Sequence, residues 1–286
     1  MSSDVSAPAD PNPSPHSSED AAFGTIASIL QAETGIELTK GKRGLAISRL
    51  SRRLRDLGVR DLNAYCDLLS GPKGAAELQE MILLLTTNVT RFFREPHHFD
   101  ALRSAILPDL MEKARAGAKV RIWSAGCSSG EEAFSLAMTI LDAFPEAASW
   151  DVRILATDID RNVIDVGRRG RFRISEEEKL AHPVLEDFTE RVTGDNHEVC
   201  KVVRSMVQFG CLNLQHPWPM QGKFDVVLCR NVVIYFSQET QQRLWPRFAN
   251  VMQDGGHLII GHSERVTGPA VKRFKPAGVT YYELSA

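Results

Sequence analysis

The sequence predicts an α/β protein, a doubly wound and mainly parallel sheet preceded by a small all-helical domain. Three observations carry this. Over 21–85 the apolar residues recur only at helical spacing. From about Lys119 onward, strand-like runs and helical patterns alternate, as βαβ units require. Over about 170–212 that alternation lapses, which marks an insertion.

The elements follow in order. Residues 1–20 are rich in Ser, Pro, Ala and Asp, with no Phe, Tyr or Trp and Val5 the one branched apolar residue, so a disordered tail is expected there. Phe23, Ile26, Ala27 and Leu30 define one helix. Ile47, Leu50, Leu54 and Leu57 define a second, stopped by Gly58. Leu62, Tyr65, Leu68 and Leu69 define a third, closed by Gly71-Pro72. Residues 86–286 form the second domain. Strands are expected over 120–123, 152–156, 224–228, 258–260 and 279–284. A helix over 131–143 carries Phe134, Met138 and Leu141 on one face, and a helix over 238–252 is kinked by Pro246. Gly255-Gly256 breaks the chain before the next strand. Within the insertion, 199–204 and 206–209 read as short antiparallel strands.

With 286 residues, 43% hydrophobic and 24% charged, the chain can bury a core without disulfide staples. A net charge of −2 gives no global pull toward nucleic acid or anionic membrane. The five cysteines are odd in number and contain no CxxC pair, so reduced thiols are expected, with no disulfide framework and no metal site. There is no basic-then-apolar leader and no apolar run of about 18 residues, so neither a signal peptide nor membrane insertion is expected, and the location is read as cytoplasmic.

The strongest local signal follows the first strand, Ser124-Ala-Gly-Cys-Ser-Ser-Gly-Glu-Glu132. Small residues let the backbone approach a ligand, and a helix N-terminus follows. Acids in that first turn suit a cationic ligand group rather than a phosphate. No GKS or GKT is present, which excludes a P-loop. A plain tight turn with capping acids fits the same residues. Asp158, at the end of the second strand, stands where an acid binds ribose hydroxyls in doubly wound sheets, or where one caps the next helix. Arg230-Asn231, at the end of the 224–228 strand, are hard to explain as core. Together the three point to a nucleoside-like pocket.

Five stretches, in order, resemble the chemotaxis receptor methyltransferases, the CheR family: Thr86-Thr-Asn-Val-Thr-Arg-Phe-Phe-Arg94, Trp123-Ser-Ala-Gly-Cys-Ser-Ser-Gly-Glu-Glu132, Ala156-Thr-Asp-Ile-Asp160, Phe224-Asp-Val-Val-Leu-Cys-Arg-Asn-Val-Val-Ile-Tyr-Phe236 and Gly261-His-Ser-Glu264. The likeness runs from about residue 21 to the end. It implies a class I methyltransferase fold, a Rossmann-like doubly wound mixed sheet with an N-terminal all-helical domain and a small antiparallel β insertion. The cofactor implied is S-adenosyl-L-methionine (SAM), leaving as S-adenosyl-L-homocysteine. Residues matching the family's cofactor pocket are Asn88, Thr90, Arg94, Ala125, Glu131, Asp158, Asn213, Leu214, Arg230 and Asn231. Those matching its catalytic positions are Arg94 and Tyr235, which by themselves read equally as a surface cation and a core aromatic. The implied activity is esterification of glutamate side chains on chemoreceptor cytoplasmic helices. A methyltransferase of another substrate and a non-catalytic cofactor-sensing module are the rival readings.

Residues 40–60 hold eight basic side chains against one acid, Asp56. Such a run favours an acidic partner. No aromatic residue is interleaved for base stacking, which argues against nucleic acid. Given the resemblance, Arg49, Arg53 and Arg55 are the expected receptor-docking residues. Some family members dock a receptor's C-terminal pentapeptide through a glycine-rich loop of the β insertion. The matching stretch Arg191-Val-Thr-Gly-Asp-Asn-His-Glu-Val199 has one glycine, so such docking is not expected here.

Overall fold

The structure, a computed structural model, describes residues 15–285. Of the tail expected to be disordered, residues 1–14 lie outside the described ones, whereas 15–20 are helical. They open α1 (Pro15–Thr34), whose buried stripe of Ala22, Phe23, Ile26 and Leu30 starts directly after them. A proline is tolerated in a first helical turn because its missing N–H has no partner there anyway.

The described residues form two compact units, 15–33 with Glu37–Leu85, and Thr34–Ile36 with 86–285. The first contains the bulk of α1 together with α2 (Arg43–Leu57), α3 (Leu62–Ser70) and α4 (Gly74–Leu85). Ile26, Leu30, Leu50, Tyr65 and Met81 are fully buried, one helical stripe from each element. Gly58 ends α2 in the left-handed conformation (φ 66°), and the Asp61 side chain caps α3 by accepting from Ala64 N.

In the second unit a short helix α5 (His97–Ala101) runs through a π-helical turn, Leu102–Ile106, into α6 (Leu107–Arg115). Then follow β1 (Val120–Ala125), α7 (Glu131–Ala143), β2 (Val152–Asp158) and α8 (Arg161–Arg169). The insertion contributes β3 (Arg171–Arg173), α9 (Glu176–Ala181), α10 (Val184–Phe188), β4 (Thr189–Thr193) and β5 (Asn196–Val199). After it come α11 (Lys201–Met206), β6 (Val207–Cys211), β7 (Phe224–Cys229), α12 (Gln238–Asn250), β8 (Met252–Ile260), β9 (Phe274–Gly278) and β10 (Tyr281–Leu284).

The main sheet has the order β6-β2-β1-β7-β8-β10-β9, and the insertion forms a separate antiparallel sheet β3-β5-β4. In the main sheet β10 alone runs against its neighbours. Successive strand residues point to opposite faces. Val226 and Leu228 therefore join one core cluster and Val227 and Cys229 the other, so both faces of the sheet are covered.

Three sequence expectations in this unit are overturned, the first being that Gly255-Gly256 breaks the chain: β8 runs through both from Met252, with an irregularity in its pairing to β7 there. Residues 201–206 are helix α11 rather than strand, because Val203 and Met206, three apart, are both buried in the core that also contains α7 residues. Residues 207–211 form β6, which joins the main sheet parallel to β2 instead of pairing within the insertion.

Candidate active site

The chain leaves β1 toward β2 and β6 on one side and returns to β7 and β8 on the other. Ligands in such sheets bind in the crevice at this reversal, beyond the strands' carboxyl ends. The loop after β1 is moulded tightly. Gly126 has φ 82°, and a Cβ there would lie 2.3 Å from Val232 Cγ2, so only glycine fits. The amides of Gly126 and Cys127 donate to Thr157 O at 2.7 and 2.9 Å. The Asp158 carboxylate accepts from Ser128 N at 2.9 Å and Asp160 N at 3.0 Å. Asp160 in turn caps α8 through Asn162 N (2.8 Å) and accepts from Asn88 Nδ2 at 2.6 Å. Ser128 Oγ donates to Asn88 O at 2.9 Å. Asn88, Asp158 and the glycine turn therefore form one hydrogen-bonded cradle. Burial pushes the Asp158 carboxyl above its ordinary range, against the pull of its main-chain donors. Burial likewise raises Glu131, whose carboxylate accepts from Ser129 Oγ at 2.7 Å.

Beside this cradle lies a charge cluster that the sequence did not reveal. Arg230, with a side chain 1% exposed, donates to Glu132 Oε2 at 3.0 Å, lies 3.4 Å from Glu95 Oε2 and reaches the carbonyl of Arg94. Its guanidinium also lies over the Phe99 ring, 5.6 Å from the centroid. Glu132 accepts as well from Ser124 Oγ at 2.6 Å. Glu95 accepts from His262 Nδ1 at 2.8 Å and Asn231 Nδ2 at 3.2 Å. Burial disfavours its charge, but those two hydrogen bonds and the Arg230 charge outweigh burial and hold the carboxyl at about 2. His98 is fully buried and bonded to Thr280 Oγ1 at 2.6 Å; burial, then the Arg230 charge, push it down to about 3, so it is neutral. Phe93, Glu95, Ser128 and Asn231 all have positive φ without being glycine, and all lie in these loops. Among the described residues Glu95, His97 and His98 bring ligand-type atoms within 4.8 Å of one another. The buried Arg230 beside Glu95 opposes a metal cation there.

This cluster is expected to make the fold acid-labile. The native His98 pKa of about 3 lies below the ordinary 6.5, so its contribution is present above pH 6.5 and is lost as pH falls toward 3. Glu95, at about 2 against 4.5, adds a loss below pH 4.5 that totals roughly 3 kcal/mol once fully protonated. The resistance of the wild type to urea should fall steadily from about pH 6.5 downward, and His98→Gln should flatten the limb between 6.5 and 4.5. An unchanged slope in that variant would refute the assignment.

The remaining sequence candidates are distributed as follows. Ala125 is buried at the end of β1, and Thr90 is half-buried in the segment between Asn88 and Arg94. Asn213 Oδ1 accepts from Gln215 N at 2.9 Å, closing a turn after β6, and Leu214 sits in the core. Arg94 donates to Val89 O at 3.0 Å. Asn231 and Tyr235 lie in the loop after β7, the latter ending a 3₁₀ turn, Val233–Tyr235, and packed against the core.

In the helical unit two of the three expected docking residues, Arg49 and Arg53, make internal bonds. Arg53 is bound bidentately to Glu77 (Nε–Oε1 3.0 Å, Nη2–Oε2 2.6 Å), a carboxylate 6% exposed that also accepts from Tyr65 Oη at 2.7 Å. Arg49 donates to the carbonyls of Leu84 and Leu85, closing the end of α4. Both belong to the packing of the unit. Arg52 and Arg55 lie with Leu45 and Ser48 on the exposed face of α2.

Two family descriptions match the chain, "CheR methyltransferase, all-alpha domain" over 21–86 and "CheR methyltransferase, SAM binding domain" over 88–282. The chain belongs to the CheR methyltransferase family. A probable chemotaxis protein methyltransferase of Rhizobium etli is 44% identical over 260 residues, 90% of this chain and 97% of that one. The chemotaxis protein methyltransferase of Salmonella typhimurium is 38% identical, covering 93% and 91% of the two chains. Chemotaxis protein methyltransferase 2 of Pseudomonas aeruginosa is 38% identical over 85% of each.

The CheR cradle suits SAM. Its donor set is acidic, Asp158 and Glu131, each pushed upward by burial, so a cationic ligand relieves the cost of holding them. The two Asp158 oxygens together offer about four acceptor positions, more than their main-chain donors use, which leaves room for a hydroxyl donor. Arg230, the buried cation nearby among the described residues, is neutralised by Glu95 and Glu132 and therefore does not repel a sulfonium. The protein is a SAM-dependent methyltransferase. Among the described residues no helix is long and apolar enough to cross a membrane.

Proposed function

We propose that the protein esterifies glutamate side chains on the cytoplasmic helices of methyl-accepting chemotaxis receptors. The observation that carries this reading is the state of the acids around the site. Glu95, Glu131, Glu132, Asp158 and Glu264 are all tied to partners, and His98 is buried and neutral, so none of these is poised as a base. A glutamate substrate needs no base, because with a reference pKa of about 4.3 it is already ionised at neutral pH. The reaction would form a carboxylate-oxygen-to-methyl bond as the sulfonium-to-methyl bond breaks, leaving the neutral thioether S-adenosyl-L-homocysteine, with no proton released from the substrate.

SAM, when bound, supplies an electrophilic methyl group. Asn88, Thr90, Ala125, Glu131, Asp158, Asn213 and Leu214 are the proposed cofactor-pocket residues, Arg230 and Asn231 shaping it from the β7 side. Arg94 spends one of its guanidinium donors on Val89 O and has others for a substrate carboxylate. Tyr235 orients the same carboxylate through its hydroxyl. Alignment of this kind can supply about 7–11 kcal/mol of barrier lowering.

The test is incubation with methyl-labelled SAM and receptor cytoplasmic fragments. Base-labile label on glutamates is expected. Label confined to other residue types, or none, would refute the reading.

Recruitment, in this reading, runs through the cationic face of α2 rather than a peptide tethered at the β insertion, and places the protein in the cytoplasm at receptor arrays. Arg52→Glu with Arg55→Glu should cut receptor methylation by about tenfold or more at low salt, while SAM affinity and thermal stability hold. Undiminished methylation of the receptor fragment would contradict docking there.

A further inference from the structure

The loop after β7 is shaped by side chains outside it. It turns at Asn231 (φ 57°) and ends in the 3₁₀ turn Val233–Tyr235. Its amides converge on the carboxylate of Glu264, a residue 3% exposed. Oε2 accepts from Asn231 N at 3.0 Å and from Gly261 N at 2.6 Å. Oε1 accepts from Val232 N at 3.0 Å and Ile234 N at 3.3 Å. At the far end of the loop, Gln241 Nε2 donates to Val233 O at 3.0 Å and Phe236 O at 3.1 Å. Gly261 serves the same geometry. A Cβ there would lie 2.8 Å from Asn231 Nδ2 and 2.9 Å from both Asn231 N and Glu264 Oε2.

We infer that Glu264 is a positioning residue for the methyl transfer, acting through Tyr235 by moulding the loop that presents it. The inference rests on Tyr235 orienting the reacting carboxylate, as proposed above. A buried carboxylate that accepts four main-chain donors leaves the segment one conformation, because any other strands those amides without partners. Glutamine at this position keeps the shape but turns an NH₂ toward two N–H groups. The loop must then shift, and a shift of about 1 Å at a reacting group can cost about 10²-fold in rate.

A double-mutant cycle decides the matter, with wild type, Glu264→Gln, Tyr235→Phe and the double variant compared for methyl transfer to a receptor fragment. SAM affinity by calorimetry and melting temperature are measured alongside. Glu264→Gln is expected to lower kcat by about 10²-fold with SAM affinity within about threefold. In the Tyr235→Phe background the same substitution is expected to cost no more than about threefold, because the group it positions is already gone. Full activity of Glu264→Gln, or losses that multiply in the double variant, overturns the inference. A fully active Tyr235→Phe overturns the role of Tyr235, and the inference with it, whereas a slow Tyr235→Phe with multiplying losses overturns the inference alone. Should Glu264→Gln fail to fold, Gly261→Ala crowds Asn231 from the same side and runs the same cycle. About a tenfold loss that vanishes in the Tyr235→Phe background supports the inference, and a loss that multiplies there overturns it.

Discussion

Tyr235→Phe and Arg94→Ala are each expected to slow methyl transfer by about 10²–10³-fold while SAM affinity stays within about threefold. The asymmetry follows from the reaction. The nucleophile arrives ionised, so these side chains contribute by fixing a flexible carboxylate in line, an interaction that matters in the transition state rather than in cofactor binding. Tyr235→Phe removes a hydroxyl and leaves the ring packed against the core. Arg94→Ala removes the guanidinium, while the main-chain carbonyl that Arg230 bonds survives. Labelled-methyl kinetics paired with calorimetry check both. Equal losses in kcat and in cofactor affinity would assign the two residues to the cofactor pocket instead.

The largest stability effect is expected at Arg53. Arg53→Glu should destabilise the helical unit by about 3–5 kcal/mol, because it removes the partner of the buried Glu77 carboxylate and sets a second negative charge against it. Tyr65 cannot compensate, since its hydroxyl already donates to the same oxygen as Arg53 Nε. Arg55→Glu, on an exposed side chain of the same helix, should change stability by no more than about 0.5 kcal/mol. Thermal and urea melts of the two variants give the comparison, and equal melting would place Arg53 outside the packing. Loss of receptor methylation in an Arg53 variant therefore reports unfolding of α2 and its neighbours, whereas loss in the Arg52 and Arg55 variants reports docking.

The central strands β1, β2, β7 and β8 were legible because they are largely buried on both faces and read as short apolar runs, ending in small or polar residues as at Ser124-Ala-Gly126 and Cys229-Arg-Asn231. β9 was not, because it is an edge strand containing Pro276, with Phe274 its one buried residue. α11 was misread because Val202 and Val203 favour strand locally, and the burial of Val203 and Met206 overrides that preference. The motif residues of the cradle were found from small-residue turns and strand-end acids. Glu95, Glu132 and Glu264 were missed as structural acids. Their partners stand 136, 98 and up to 33 residues away in the chain, and no local pattern encodes such pairings. The same blindness made Arg49 and Arg53 look like surface charge, although their partners sit on α4.

The bond between His98 and Thr280 joins residues 182 apart, across a hairpin turn whose Thr280 holds φ 56°. During synthesis, when roughly 5–20 residues are added each second, the segment bearing Arg94 must wait for about 180 more residues before its buried histidine meets that hydroxyl. Such long-range closure is a late and slow event in assembly. A chain truncated before β10 keeps its glycine turn and strand ends but lacks the bond that holds His98, so such a fragment should be silent as an enzyme.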